Sequence, residues 1–123
     1  MREEVQLVLT RGGFFALEQE WNTLARGASP TMQFDWLTAS EELETMEALR
    51  VVTVRRGGVL VAATALIEPR GPDPRLELLG QHFCDEAAPG VLARDEAALK
   101  TLLRALIRLR RLQRRCWPLL HAA

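Results

Sequence analysis

Residues 50–67 constrain the fold more than any other stretch. Arg50 to Arg56 reads Arg-Val-Val-Thr-Val-Arg-Arg, Gly57-Gly58 follows, and Val59 to Ile67 resumes as Val-Leu-Val-Ala-Ala-Thr-Ala-Leu-Ile. Two glycines between β-favouring runs have the chemistry of a two-residue hairpin turn, whose central residues need positive φ. Pro69, Gly71, Pro72 and Pro74 make the next loop, and Arg75 to Phe83 reads as a third antiparallel strand running on from it. A meander is therefore expected at the centre of the chain.

The flanking segments read as helices and one further strand. Val5 to Thr10 is short and β-favouring and ends at Arg11-Gly12-Gly13, read as a turn with positive φ. Phe14, Leu17, Trp21 and Leu24 recur at the spacing of one helix face, and that helix should stop near Gly27. Ser29-Pro30 breaks the chain. Trp36, Leu37, Leu43 and Met46 then lie among Asp35, Glu41, Glu42, Glu44 and Glu47, a second amphipathic helix that Asp35 or Thr31 would cap. After Pro89 and Gly90, Asp95 would cap a long helix from about Glu96 to Arg115. Cys116-Trp117-Pro118 closes it, leaving a tail over 117–123. The expected fold class is α+β, an antiparallel sheet of about four strands flanked by three helices, in one domain over residues 1–123.

Composition narrows the function classes. Apolar residues make up 48% and charged residues 26%, the balance of a globular domain rather than a disordered tail. The longest apolar run, Val59 to Ile67, is about half the roughly 20 residues a spanning helix needs, so no membrane segment is expected. Two cysteines cannot build a disulfide framework, and Met-Arg-Glu-Glu is no secretory start, which makes a reducing cytoplasm the expected compartment. Formal net charge is zero, but residues 1–50 carry four basic and nine acidic side chains, whereas seven basic and no acidic residues follow from Lys100 onward. Lys100, Arg104, Arg108, Arg111 and Arg115 form one row of a helical wheel. A solvated helix face suited to the negative end of its dipole explains that row. A nucleic-acid footprint is the alternative, against which stand the zero net charge, the acidic second helix and the lack of an aromatic stacking stripe.

His82, Cys84, Asp85 and Glu86 form the densest cluster of reactive side chains, at the end of the third expected strand. A zinc site needs three or four ligands, and the remaining histidine and cysteine, His121 and Cys116, sit near the terminus. Side chains two apart on a strand run parallel, which disfavours a Cys84 nucleophile with His82 as its base and leaves Cys84 a small buried hydrophobe. Asp85 and Glu86 are the candidate catalytic residues, since a carboxylate at a strand end can accept a proton or hold an ammonium group. Gln33, Trp36 and His82 are candidate substrate-pocket residues, although Trp21 and Trp36 also suit core anchors. Walker, Gly-x-Ser-x-Gly and His-Glu-x-x-His patterns are missing from the sequence.

Several ordered phrases resemble the CelD-like GNAT acetyltransferases, the group associated with cellulose biosynthesis. Ser29-Pro30-Thr31-Met32-Gln33-Phe34-Asp35-Trp36 looks like that family's Pro-Met-Gln-x-x-x-Trp segment. Arg50 to Gly58 is similar to its central hairpin, Ala65-Leu66-Ile67 stands where its Ala-Pro-Leu occurs, and Arg75 to Gly80 matches its next strand. The resemblance spans roughly residues 5 to 115. It implies the N-terminal half of a two-half acyltransferase passing an acyl group from acetyl-CoA or another acyl-CoA to an amine or sugar. In that family the acyl-CoA pyrophosphate is expected on a Gln/Arg-x-x-Gly-x-Gly/Ala turn leading into a helix. No such turn occurs in this sequence, and Asp85 to Arg94 departs from the family's acidic-Pro-x-Asp pattern. The expectation is thus an incomplete acyltransferase fold that binds no acyl-CoA alone and partners a second half or a further copy of itself. A non-catalytic interaction module, docking through its apolar helix ends and Trp117-Pro118-Leu119-Leu120, is the alternative.

Overall fold

The computed structural model describes residues 2–43, 48–68, 76–80 and 90–120. In chain order the elements are β1 (Glu3–Val8), α1 (Arg11–Phe15), α2 (Glu18–Leu24), a 3-10 turn (Pro30–Met32), α3 (Phe34–Leu43), β2 (Ala48–Arg56), β3 (Val59–Glu68), β4 (Glu77–Leu78), β5 (Leu92–Ala93) and α4 (Glu96–Leu120). The class is α+β. Among the described residues, five antiparallel strands run in the order β1-β2-β3-β4, with β5 also on β3, and four helices accompany them.

Gly57 and Gly58 both take positive φ, 58° and 80°, which closes the expected two-residue turn. β2 and β3 pair from Ala48↔Glu68 to Arg56↔Val59. The register shifts where Val54 faces Ala62 but Arg55 faces Leu60, so Val61 is an extra residue. In consequence Val61 and Ala62 both belong to the core under α4, while Leu60 and Ala63 belong to the opposite core.

That strand divides the interior. On one face Val51, Leu60, Ala63, Ala65 and Ile67 meet Phe14, Leu17, Trp21, Phe34 and Leu37 from α1–α3 and their connections. Phe14, Trp21 and Phe34 pack as tilted or edge-on rings with centroids 5.0–6.3 Å apart. The buried Trp21 indole donates to the Met32 carbonyl at 3.0 Å. On the other face Val52, Val54, Val61, Ala62 and Leu66 meet Ala98 and Leu102 of α4. The 98/102 spacing with Ala105, Leu106 and Leu109 beside it is one helix stripe.

Five expectations are corrected. The first helix is two: α1 starts early, capped by Thr10 accepting from Gly13 N–H at 3.0 Å, and ends at Phe15, and α2 re-starts at Glu18. Arg11-Gly12-Gly13 is accordingly helix rather than a positive-φ turn. Gly13 is required by space, since a Cβ there would lie 2.8 Å from Val8 Cγ1. Asp35 falls inside the first turn of α3, and the Thr31 hydroxyl lies 3.0 Å from Ser29 Oγ. Among the described residues of the third expected strand, Glu77–Leu78 pair with β3 and Gly80 takes a φ of 80°; residue 75 and residues 81–83 lie outside the described residues. The same edge of β3 is taken up again by β5, through Ala62↔Ala93 and Ala63↔Leu92. Finally, α4 extends to Leu120, past Pro118, whose fixed φ is already helical and which removes one N–H.

Gly80 and Gly58 share a φ of 80°, but a Cβ at Gly80 would lie 2.2 Å from the Trp36 ring whereas Gly58 faces open space. Gly58→Ala should therefore cost about 1–2 kcal/mol of left-handed strain. Gly80→Ala should cost roughly 1–3 kcal/mol more from overpacking. Urea unfolding of the two variants checks this, and equal losses would contradict the close approach.

Candidate functional site

The corner where the 3-10 turn enters α3 holds Gln33 and Trp36, two of the three residues the sequence offered as a pocket. Gln33 precedes α3 and Trp36 lies in its first turn. The Gln33 amide nitrogen donates to the carbonyls of Ala25 (2.9 Å) and Ala28 (3.1 Å). Carbonyls at the end of a helix lack intrahelical partners, so this side chain closes the end of α2. Trp36 is half-buried and packs on the core beside α2, with its ring against the Gly80 backbone. Ser40, one turn further, donates to the Trp36 carbonyl at 2.9 Å.

The described ends of the 81–89 segment are both fastened near this corner. Leu79 N–H donates to Ala65 O at 3.0 Å, and Gly80 then passes beneath Trp36 and Ser40. On the return, Gly90 N–H donates to Met32 Sδ at 2.8 Å and Gly90 O accepts from the buried Thr64 hydroxyl at 3.0 Å. His82, Cys84, Asp85 and Glu86 lie outside the described residues. The structure therefore brings Trp36 to the Gly80 end of that segment and commits the Gln33 amide nitrogen to its own backbone.

A second cluster forms where β1, β2 and α4 meet. Asp95 caps α4 by accepting from Ala98 N–H at 2.9 Å, as the sequence suggests. Arg56 grips the same carboxylate with two N–H groups, at 2.7 and 3.0 Å, and reaches Glu3 of β1 at 2.6 Å. Glu3 also accepts from the Thr101 hydroxyl. The Arg56 hydrogen bonds, then that of Ala98 N–H, hold Asp95 well below the usual carboxylate range, and Arg56 itself is raised. Glu3 is lowered by Thr101 first and Arg56 second. Across the sheet, Arg55 makes a forked pair with Glu20 of α2, which lowers Glu20. Neighbouring residues at the end of β2 thus tie a helix on each face. Sequence reasoning missed them because two arginines before a Gly-Gly turn look like solvated charge; their placement on opposite strand faces was the available signal.

These contacts decide what the start of α4 can hold. An N-terminus that binds phosphate leaves its N–H groups and positive dipole open to the anion. Here the Asp95 carboxylate occupies Ala98 N–H, Glu96 occupies the first turn, and Arg56 is committed to Asp95 and Glu3. That arrangement does not fit an acyl-CoA pyrophosphate. Along α4, Lys100 pairs with Glu96 at 3.1 Å, whereas Arg104 and Arg108 are exposed and make no ion pair with a described residue. The side chains of Arg111 and Arg115 and the 117–120 docking face lie outside the described residues. Among the described residues no group of three His, Cys, Asp or Glu could hold a metal, and no helix is long and apolar enough to cross a membrane. No family model, curated protein or solved structure matches the chain.

Because Asp95, Glu3 and Glu20 are all lowered in the folded state, the unfolded chain takes up protons first as pH falls. Stability should be full above the ordinary carboxylate range and decline progressively below about pH 4. Asp95→Asn keeps a competent helix cap but loses the charge. Its thermal midpoint should lie below wild type at pH 7, with the gap narrowing below about pH 4. A gap that stays constant down to pH 2 would contradict the Arg56 pairing.

Proposed function

We propose that this chain is the acceptor-side half of a GNAT-type acyltransferase acting in the cytoplasm. A second half, on another segment or another chain, supplies the acyl-CoA. The observation that carries the reading is the element order: a first strand, helices on one face, an antiparallel meander, and a long helix on the other face. That order is the one the resemblance to the CelD-like acetyltransferases implies, and the Pro30-Met32-Gln33-Trp36 phrase falls at the corner beside Gly80 and Gly90. The occupied start of α4 supports the division of labour, because the chain's own helix N-terminus is spent on Asp95.

In this reading Trp36 forms the apolar wall of the acceptor pocket and His82 contributes to recognising the acceptor. Asp85 or Glu86 takes the proton from the acceptor amine as its nitrogen becomes a nucleophile. A non-catalytic interaction module is the second reading, favoured by the apolar groove between β1 and α4.

Calorimetric titration of the purified chain with acetyl-CoA should show no saturable binding. Binding in the micromolar range would overturn the half-domain assignment in favour of an autonomous enzyme. The coding sequence beyond codon 123 should encode a Gln/Arg-x-x-Gly-x-Gly/Ala segment, and the two products combined should transfer acetyl groups to an amine. Absence of that segment, with no transfer, would leave the interaction module.

A further inference from the structure

The outer side of β1 is open in three respects. β2 pairs one edge of the strand, and among the described residues no strand pairs the other. Such an edge offers unpaired N–H and C=O groups to any extended chain. Its side chains add an apolar surface, with Val5 47% and Leu7 44% exposed, where edge strands usually carry charge or proline. Val5 and Leu7 share a strand face with Glu3 and, together with Val52, Ala105, Arg108 and Leu109, line a groove of about 180 Å³ between β1 and α4.

The wall of that groove has a sign. Arg108 lines it and Arg104 lies one turn earlier on α4; both are exposed, and neither is paired with a described carboxylate. Lys100 differs, being neutralised by Glu96. Two guanidinium groups without a described carboxylate partner, beside an apolar floor, favour an occupant that brings carboxylates along with aliphatic side chains. A second copy of this chain is a poor occupant. Antiparallel pairing of one β1 with another would set two α4 helices side by side on one sheet face, with Arg104 and Arg108 of each adding like charge.

We propose that this edge binds an extended acidic segment of another protein, which adds to β1 as a further strand. Aliphatic side chains at every second position fill the groove, and carboxylates meet Arg104 and Arg108. Main-chain hydrogen bonds along the edge supply affinity, and the alternate-residue pocket and arginines supply selectivity. The inference does not depend on the transfer chemistry proposed above.

The test uses two fluorescein-labelled ten-residue peptides with the same alternating Val/Thr centre, one flanked by glutamates and one by lysines. Fluorescence anisotropy on the full chain should show the glutamate peptide binding at least about tenfold tighter, with the preference shrinking in high salt as charges are screened. The Arg104→Glu/Arg108→Glu variant alters exposed residues, so it should keep the wild-type circular dichroism while reversing the preference. Leu7→Lys should weaken the glutamate peptide. Equal affinities, no binding of either peptide, or an unchanged preference in the double-arginine variant would overturn the proposal. So would a single-stranded DNA oligonucleotide that displaces the peptide at comparable concentration, or sedimentation showing a dimer that the peptide cannot enter.

Discussion

Burial of β3 on both faces is the constraint that organises the molecule. After Val59 every residue of that strand is buried, although it belongs to an antiparallel sheet, where one face commonly meets water. An apolar strand without alternation must be covered twice, so α1–α3 take one face and α4 the other. Fully burying a Leu, Val or Ile side chain contributes about 1.5–3 kcal/mol, and β3 supplies Leu60, Val61, Leu66 and Ile67. Exposed ion pairs contribute far less. Burial therefore drives the layering, and Arg55 and Arg56 fix which helix sits where along each face. Glu68, the charged end of the strand, lies 3.4 Å from Arg50.

The same constraint separates two places where chemistry can occur. At the far edge of β3 the sheet is interrupted between β4 and β5, and the ends of the intervening segment are pinned by Ala65, Thr64, Met32 and Trp36. At the near edge β1 is held by β2 and by the Glu3 contacts with Arg56 and Thr101, and its remaining surface is open. Glu3 faces α4 in the way Val5 and Leu7 do, but close to its start, so charge anchors one end of the strand and leaves the apolar end uncovered.

What was legible in the sequence follows from how local each determinant is. The hairpin could be read because its two glycines supply the positive φ that its turn demands. Asp95 could be read as a cap because the bond spans three residues. Phe14, Leu17 and Trp21 declared the buried face correctly, but not the break between α1 and α2 at Ala16–Leu17, which that periodicity runs through without interruption. The close approach of Gly80 to the Trp36 ring was hidden, since the two are distant in sequence. Gln33 looked like a pocket residue because an amide next to a tryptophan suits a ligand. The Ala25 and Ala28 carbonyls, just beyond α2, were the missing consideration.

Residue-resolved amide hydrogen exchange measured under native conditions tests the central claim most directly, because doubly covered strands should open only when the whole molecule unfolds. The paired amides of β3 between Leu60 and Ile67 should exchange slowest, at the free energy of global unfolding. The amides on the outer edge of β1 should exchange fastest among the strands. Rapid exchange in β3, or protection of β1 equal to it in the isolated chain, would contradict a fold organised around the buried hairpin strand.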